Sequence, residues 1–151
     1  MKGMKIRKAS MNDVNAIAKV IAPFVDAAIC SEEGRERFEP HMLKNIFERS
    51  DIHYFVGEIQ DDVVGCVAYI APSHVMHYFL LPHYHGQGYG RQMWDFLETE
   101  ILKHTPTAIT VNSSFYALDI YKKFGFDVVG EVTQQWGLQF IPMRKTIALQ
   151  A

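Results

Sequence analysis

The chain has 151 residues, 48% hydrophobic and 21% charged, enough for one domain around one core and too apolar for intrinsic disorder. Its formal charge of -2, with no run of lysine or arginine beyond two, excludes the clustered cationic footprint of a nucleic-acid binder. No apolar run reaches the ~18–20 residues that cross a bilayer, and Met1-Lys2-Gly3-Met4-Lys5 opens no signal-peptide h-region. A single cytoplasmic domain over residues 1–151 is expected, with neither a membrane nor a nucleic-acid partner. Cys30 and Cys66 stand outside any metal or redox spacing and read as buried thiols.

In chain order, Met4 to Ala9 alternates as a short strand. Ser10 is an N-cap with Asp13 in the first turn, and Val14, Ile17, Ala18, Ile21 and Val25 predict an amphipathic helix over Asn12 to Cys30, bent or divided at Pro23. Ser31 to Pro40 is a loop or a helix start, and Met42, Leu43, Ile46 and Phe47 mark a second helix ending near Ser50. His53–Ile59 and Val63–Ile70 predict a hairpin over Gln60-Asp61-Asp62, and His74–Leu81 a third strand. Met93, Trp94, Leu97 and Ile101 share one face of a helix from Gly88 to His104. A strand at Thr107–Val111, a helix at Phe115–Phe124 closed by Gly125, and strands at Asp127–Val132 and Leu138–Leu149 complete the chain. Antiparallel strands followed by a β-α-β crossover predict an α/β fold, a mixed sheet of about seven strands flanked by about four helices.

The chemistry concentrates in His83-Tyr84-His85-Gly86-Gln87-Gly88-Tyr89-Gly90-Arg91, between an apolar strand and an amphipathic helix. Alternating glycines let the backbone curl and bring phosphate close to the amides, and the helix N-terminus adds free N–H donors and a positive dipole end. A P-loop would need Gly-Lys-Ser/Thr where Gly90-Arg91-Gln92 stands, and a dinucleotide fingerprint would need glycine at Arg91 or Met93.

The segment His85-Gly86-Gln87-Gly88-Tyr89-Gly90 resembles the cofactor motif of the GNAT superfamily of N-acetyltransferases, with His85 in place of Gln or Arg. Asn112-Ser113-Ser114-Phe115-Tyr116-Ala117, Tyr121 and Gly125-Phe126 resemble the family's second block, with Ser114 at the usual asparagine. Ser31-Glu32-Glu33-Gly34, Ser73-His74-Val75 and Gly137 to Met143 look like a bacterial small-molecule subgroup. The resemblance implies a GNAT-type, mostly antiparallel sheet and acetyl transfer from acetyl-CoA to a primary amine of a small molecule or peptide by direct attack. Protein acetylation and a catalytically silent acyl-CoA sensor are the alternatives.

It further implies that a splayed strand from His77 to Leu81, with Phe79, Leu80 and Leu81, receives the thioester and pantetheine. The pyrophosphate falls to His85, Gly86, Gln87, Gly88, Tyr89, Gly90 and Arg91, with weakened binding expected from His85. Asn112, Ser114, Ala117 and Tyr121 are the other cofactor contacts. Tyr121 is the expected general acid; a water relay or a side-chain base takes the amine proton, with Glu33 and His74 the candidates ahead of Glu58 and His77. His74/His77 and His83/His85 lack a carboxylate or cysteine to complete a ligand set, so no metal is expected. A monomer or homodimer is anticipated.

Overall fold

The computed structural model describes residues 3–148. Met1, Lys2 and the expected strand end at Leu149 lie outside them. Eight strands form one open sheet: β1 (Lys5–Lys8), β2 (Ile52–Ile59), β3 (Asp62–Ile70), β4 (His74–Leu80), β5 (Ala108–Ser113), β6 (Asp127–Val128), β7 (Thr133–Gln135) and β8 (Leu138–Thr146). The spatial order is β1-β2-β3-β4-β5-β8-β6, with β7 paired to β8. Every pairing is antiparallel except β4 with β5.

Ser10 and Asp13 start the first helical segment as a capping box, the Asp13 carboxylate accepting the Ser10 N–H at 2.8 Å. Arg7 then bridges Asp13 to Glu58 on β2, which pins the helix start to the sheet. The predicted helix is divided at Pro23, as α1 (Val14–Ile21), a 3-10 turn and α2 (Val25–Ala28). Ser31 to Pro40 holds α3 (Glu32–Glu36), and the next helix is the short α4 (Pro40–Leu43) continued by a 3-10 segment, Lys44–Glu48. On this face of the sheet Ile17, Val20, Ile21 and Leu43 pack over Val56, Cys66 and Ala68. On the other, α5 (Tyr89–Leu102) and α6 (Leu118–Lys123) bring Met93, Trp94, Leu97, Ile101 and Tyr121 onto Val67, Val75, Ile109 and Met143. β3 is sandwiched between the two layers, and Val64, Cys66, Val67 and Ala68 are all fully buried. The buried valines each contribute ~1.5–3 kcal/mol of apolar burial.

Five details differ from expectation. The β2–β3 turn is two residues, Gln60 and Asp61, both left-handed with φ of 51° and 66°. Helix α6 begins only at Leu118, because the Ser114 hydroxyl accepts the Ala117 N–H at 3.2 Å and holds Phe115–Ala117 in a turn. The strand expected over Asp127–Val132 is only two residues long. After it comes the unexpected β7, whose Thr133, Gln134 and Gln135 show no apolar alternation. Cys30 is exposed, whereas Cys66 is fully buried.

Candidate active site

Strands β4 and β5 are paired only at the start of β4, where His74 faces Thr110 and Val75 faces Val111 in the middle of β5. Past that point β4 continues to Leu80 against β3 alone. The cause is a bulge: Ala68 pairs with His77 and Tyr69 with Val75, so Met76 is an extra residue that turns β4 away. The Leu81 N–H donates to the Val64 carbonyl at 2.9 Å, and backbone alternation therefore directs the amides of Tyr78 and Leu80 into the gap. A V-shaped opening with free N–H donors results. It widens into a cleft of about 860 Å³ that runs from the glycine loop to the far side of the sheet.

At one end stands the loop into α5. Gly86 and Gly88 have φ of 74° and 90°, a region that strains other residues, and a Cβ at either would meet open space. The loop is thus a cradle facing the cleft, at the N-terminus of a fourteen-residue helix. Gly90 lies tight against β4, its carbonyl accepting the Tyr78 hydroxyl at 2.5 Å. The His85 ring donates from Nε2 to the Leu80 carbonyl at 2.7 Å and stacks beside Phe24, which fastens the loop to the end of β4.

Opposite the loop, α6 ends in a Schellman turn at Gly125, where Phe126 N–H reaches the Tyr121 carbonyl at 3.0 Å and Gly125 N–H that of Lys122 at 3.1 Å. This sets Tyr121 with its ring on Tyr78 and Phe126, lining the cleft. Burial pushes the phenol well above its ordinary pKa, so it stays protonated.

Two histidines of β4 also reach the cleft. His74 has Nδ1 at 2.8 Å from Thr110 Oγ1, and burial lowers its pKa, so the ring is neutral near pH 7. In the tautomer in which Nδ1–H donates to the threonine oxygen, Nε2 keeps a free lone pair. His77 is buried, with Nδ1 at 2.7 Å from the Tyr54 hydroxyl. Desolvation first, and the nearby Arg37 charge second, push its pKa down to about 4. The Tyr54 phenol, itself held protonated by burial, shares this hydrogen bond with Nδ1 and ties His77 to β2.

Residues far apart in sequence close the other end. The β7–β8 hairpin turns at Trp136 and Gly137, with φ of 58° and 75°, and its tip docks on α3. The Gly137 carbonyl accepts the Cys30 N–H at 2.8 Å, and a Cβ on Gly34 would lie 2.0 Å from that oxygen. Ser31–Gly34 and Gly137 are thus one contact. Arg37 stacks over Trp136 at 5.5 Å, and Phe38, Met42 and Phe140 complete an apolar wall.

Of the residues singled out in the sequence, the cleft gathers His74, Phe79, Leu80, His85, Gly86, Gly88, Gly90, Arg91, Asn112, Ser114, Ala117 and Tyr121. Gln87, Tyr89 and Leu81 do not line it: Gln87 bonds the His83 carbonyl, Tyr89 is buried, and Leu81 spends its N–H on β3. Glu33 projects from the exposed side of α3 and does not line the cleft either, and Glu58 is tied to Arg7 near β1. His77 is more central than its sequence rank suggested. Tyr78 and Arg37 carried no sequence signal, since a strand tyrosine and a loop arginine match no motif. No group of three or more metal-ligating side chains occurs among the described residues.

A model of the acetyltransferase (GNAT) domain matches residues 24–147. Comparison with curated proteins finds no match. Among solved structures, the PaiA N-acetyltransferase of Thermoplasma acidophilum, in complex with coenzyme A, superposes with a TM-score of 0.72 at 23% identity over 96% of this chain and 99% of that one. The GCN5-related N-acetyltransferase of Rhodopseudomonas palustris gives 0.79 at 19% identity over 97% and 98%. The ribosomal-protein-S18-alanine N-acetyltransferase of Escherichia coli gives 0.73 at 14% identity over 99% and 97%.

Proposed function

Because the chain belongs to the GNAT acetyltransferase family, matched over residues 24–147, we propose that it moves an acetyl group from acetyl-CoA to a primary amine by direct attack. The observation that carries this reading is the splayed β4–β5 gap with the glycine cradle at one end and Tyr121 facing it. Direct attack fits because neither thiol suits a covalent relay. Cys66 is buried with its pKa pushed up to about 12, and Cys30 lies outside the cleft.

In this mechanism Gly86, Gly88 and the first amides of α5 hold the pyrophosphate of acetyl-CoA, and the free amides of Tyr78 and Leu80 receive its pantetheine arm and thioester carbonyl. An acceptor amine titrates near ~10.4 when unperturbed and must lose a proton first. His74 takes it on Nε2, because its ring is neutral and no carboxylate lines the cleft among the described residues. The amine lone pair then forms the C–N bond and the thioester C–S bond breaks. Tyr121 donates to the departing sulfur. The new amide nitrogen sheds its second proton, which restores the Tyr121 phenol, and the products are the amide and CoA thiol.

The test is thiol release from acetyl-CoA with a panel of small amines and peptides. Amine-dependent release, reduced in His74→Gln and Tyr121→Phe, is expected. Saturable CoA binding with no release for any acceptor would overturn the reading in favour of a silent acyl-CoA sensor, and release with peptides alone would reassign it to protein acetylation.

A further inference from the structure

We infer that the acceptor is an amine carrying its own carboxylate on an apolar body, the carboxylate being held by Arg37; this deepens, and rests on, the amine-acetyltransferase reading. Three observations lead there. No aspartate or glutamate lines the cleft among the described residues. Of the acids outside it, Asp26 pairs with Arg35 at 2.6 Å, Asp51 with Arg49 at 2.7 Å, and Glu36 and Glu39, which flank Arg37 in sequence, with His41 at 3.1 and 3.5 Å. A polycationic acceptor would therefore bring a second ammonium group into a site with no partner for it, close to a guanidinium that repels it.

Arg37 is the converse case. Among the described residues it forms no salt bridge; its guanidinium lies over the Trp136 ring, and it lines the same cleft as Phe38 and Phe140. Its charge is felt at His77, which places it beside the catalytic end of β4. Arg49 is neutralised by a bidentate bond to Asp51, and Arg91 pairs with Asp95 on α5 beside the glycine loop. One planar guanidinium is left to face the acceptor, and a planar carboxylate is its natural partner. The same field disfavours an ammonium group, which helps the acceptor amine enter its nucleophilic, neutral form.

The experiment compares phenylalanine and 4-(aminomethyl)benzoate, each against its uncharged carboxamide, with spermidine as the polycation. At least one acid should exceed its amide in kcat/KM by about tenfold or more, through KM, as expected for one charge-assisted pair. Arg37→Ala should collapse that ratio toward unity, Arg37→Lys should restore part of it, and Arg37→Glu should invert it. Arg35→Ala, a neighbour tied to Asp26, should leave it intact. Acids no better than amides in both pairs, spermidine as the best acceptor, or a ratio unmoved by Arg37→Ala would each overturn the inference. If no amine releases thiol, the enzymatic reading fails, and calorimetric titration of acid and amide into the CoA-saturated protein decides this one alone. Tighter acid binding that is lost in Arg37→Ala sustains it; equal binding overturns it.

Discussion

Tyr121 and His77 are both buried polar side chains of the cleft, yet opposite consequences follow from their surroundings. Tyr121 lines the cleft and its phenol stays protonated, so it is available as a donor to a sulfur leaving group. Tyr121→Phe keeps the ring against Tyr78 and Phe126. CoA affinity should barely change while kcat falls by the ~10²–10⁴ expected for a lost general acid, measured with a good acceptor. His77 is committed to Tyr54 and remains neutral down to about pH 4. The unfolded chain protonates this ring near ~6.5, so between the two values the unfolded state binds the extra proton. The associated stability is fully present above pH ~6.5 and is lost as pH falls toward 4, by up to about 3 kcal/mol. Urea midpoints across that window should show the decline, and His77→Gln should flatten it.

At the scale of elements, the loop between β4 and α5 depends on two different devices. Gly88 caps the helix in a left-handed conformation that costs other residues about 1–2 kcal/mol, although there is room for a side chain. Gly88→Val should therefore leave a folded protein, seen by an unchanged thermal transition shape, but fill the cradle and abolish CoA binding by calorimetry. His85 stands where the family carries Gln or Arg, and its ring reaches back to the Leu80 carbonyl. A glutamine amide can make the same bond and alanine cannot. CoA affinity should accordingly fall in His85→Ala and be largely kept in His85→Gln. The helical face of Met93, Trp94, Leu97 and Ile101 was legible from spacing alone, because burial against a sheet imposes a 3.6-residue period. Strand β7 was not, since its polar residues pair with β8 at the rim of the fold, where neither face needs to be apolar.

The whole molecule adds what joins distant segments. Gly34 and Gly137 touch backbone to backbone, a distance no Cβ permits. Gly137→Val would also be strained at φ of 75°. It should lift the hairpin from α3, raising KM for the acceptor while CoA affinity stays unchanged, because the glycine loop lies at the other end of the cleft. Composition, the helical and strand periods, the glycine loop and the Tyr121 block were determined by sequence alone, because each rests on neighbours within a few turns of chain. The sequence also singled out Ser31–Gly34 and Gly137 without showing that they meet. Only the tertiary structure decided which candidates share a cleft. It set Glu33 outside and His77 within, freed the amides of Tyr78 and Leu80 through the bulge at Met76, and gave Arg37 no salt bridge among the described residues. These outcomes depend on strand splay, on register and on which carboxylates find partners elsewhere. All three are fixed by packing between residues far apart in the chain, and local spacing carries no record of them.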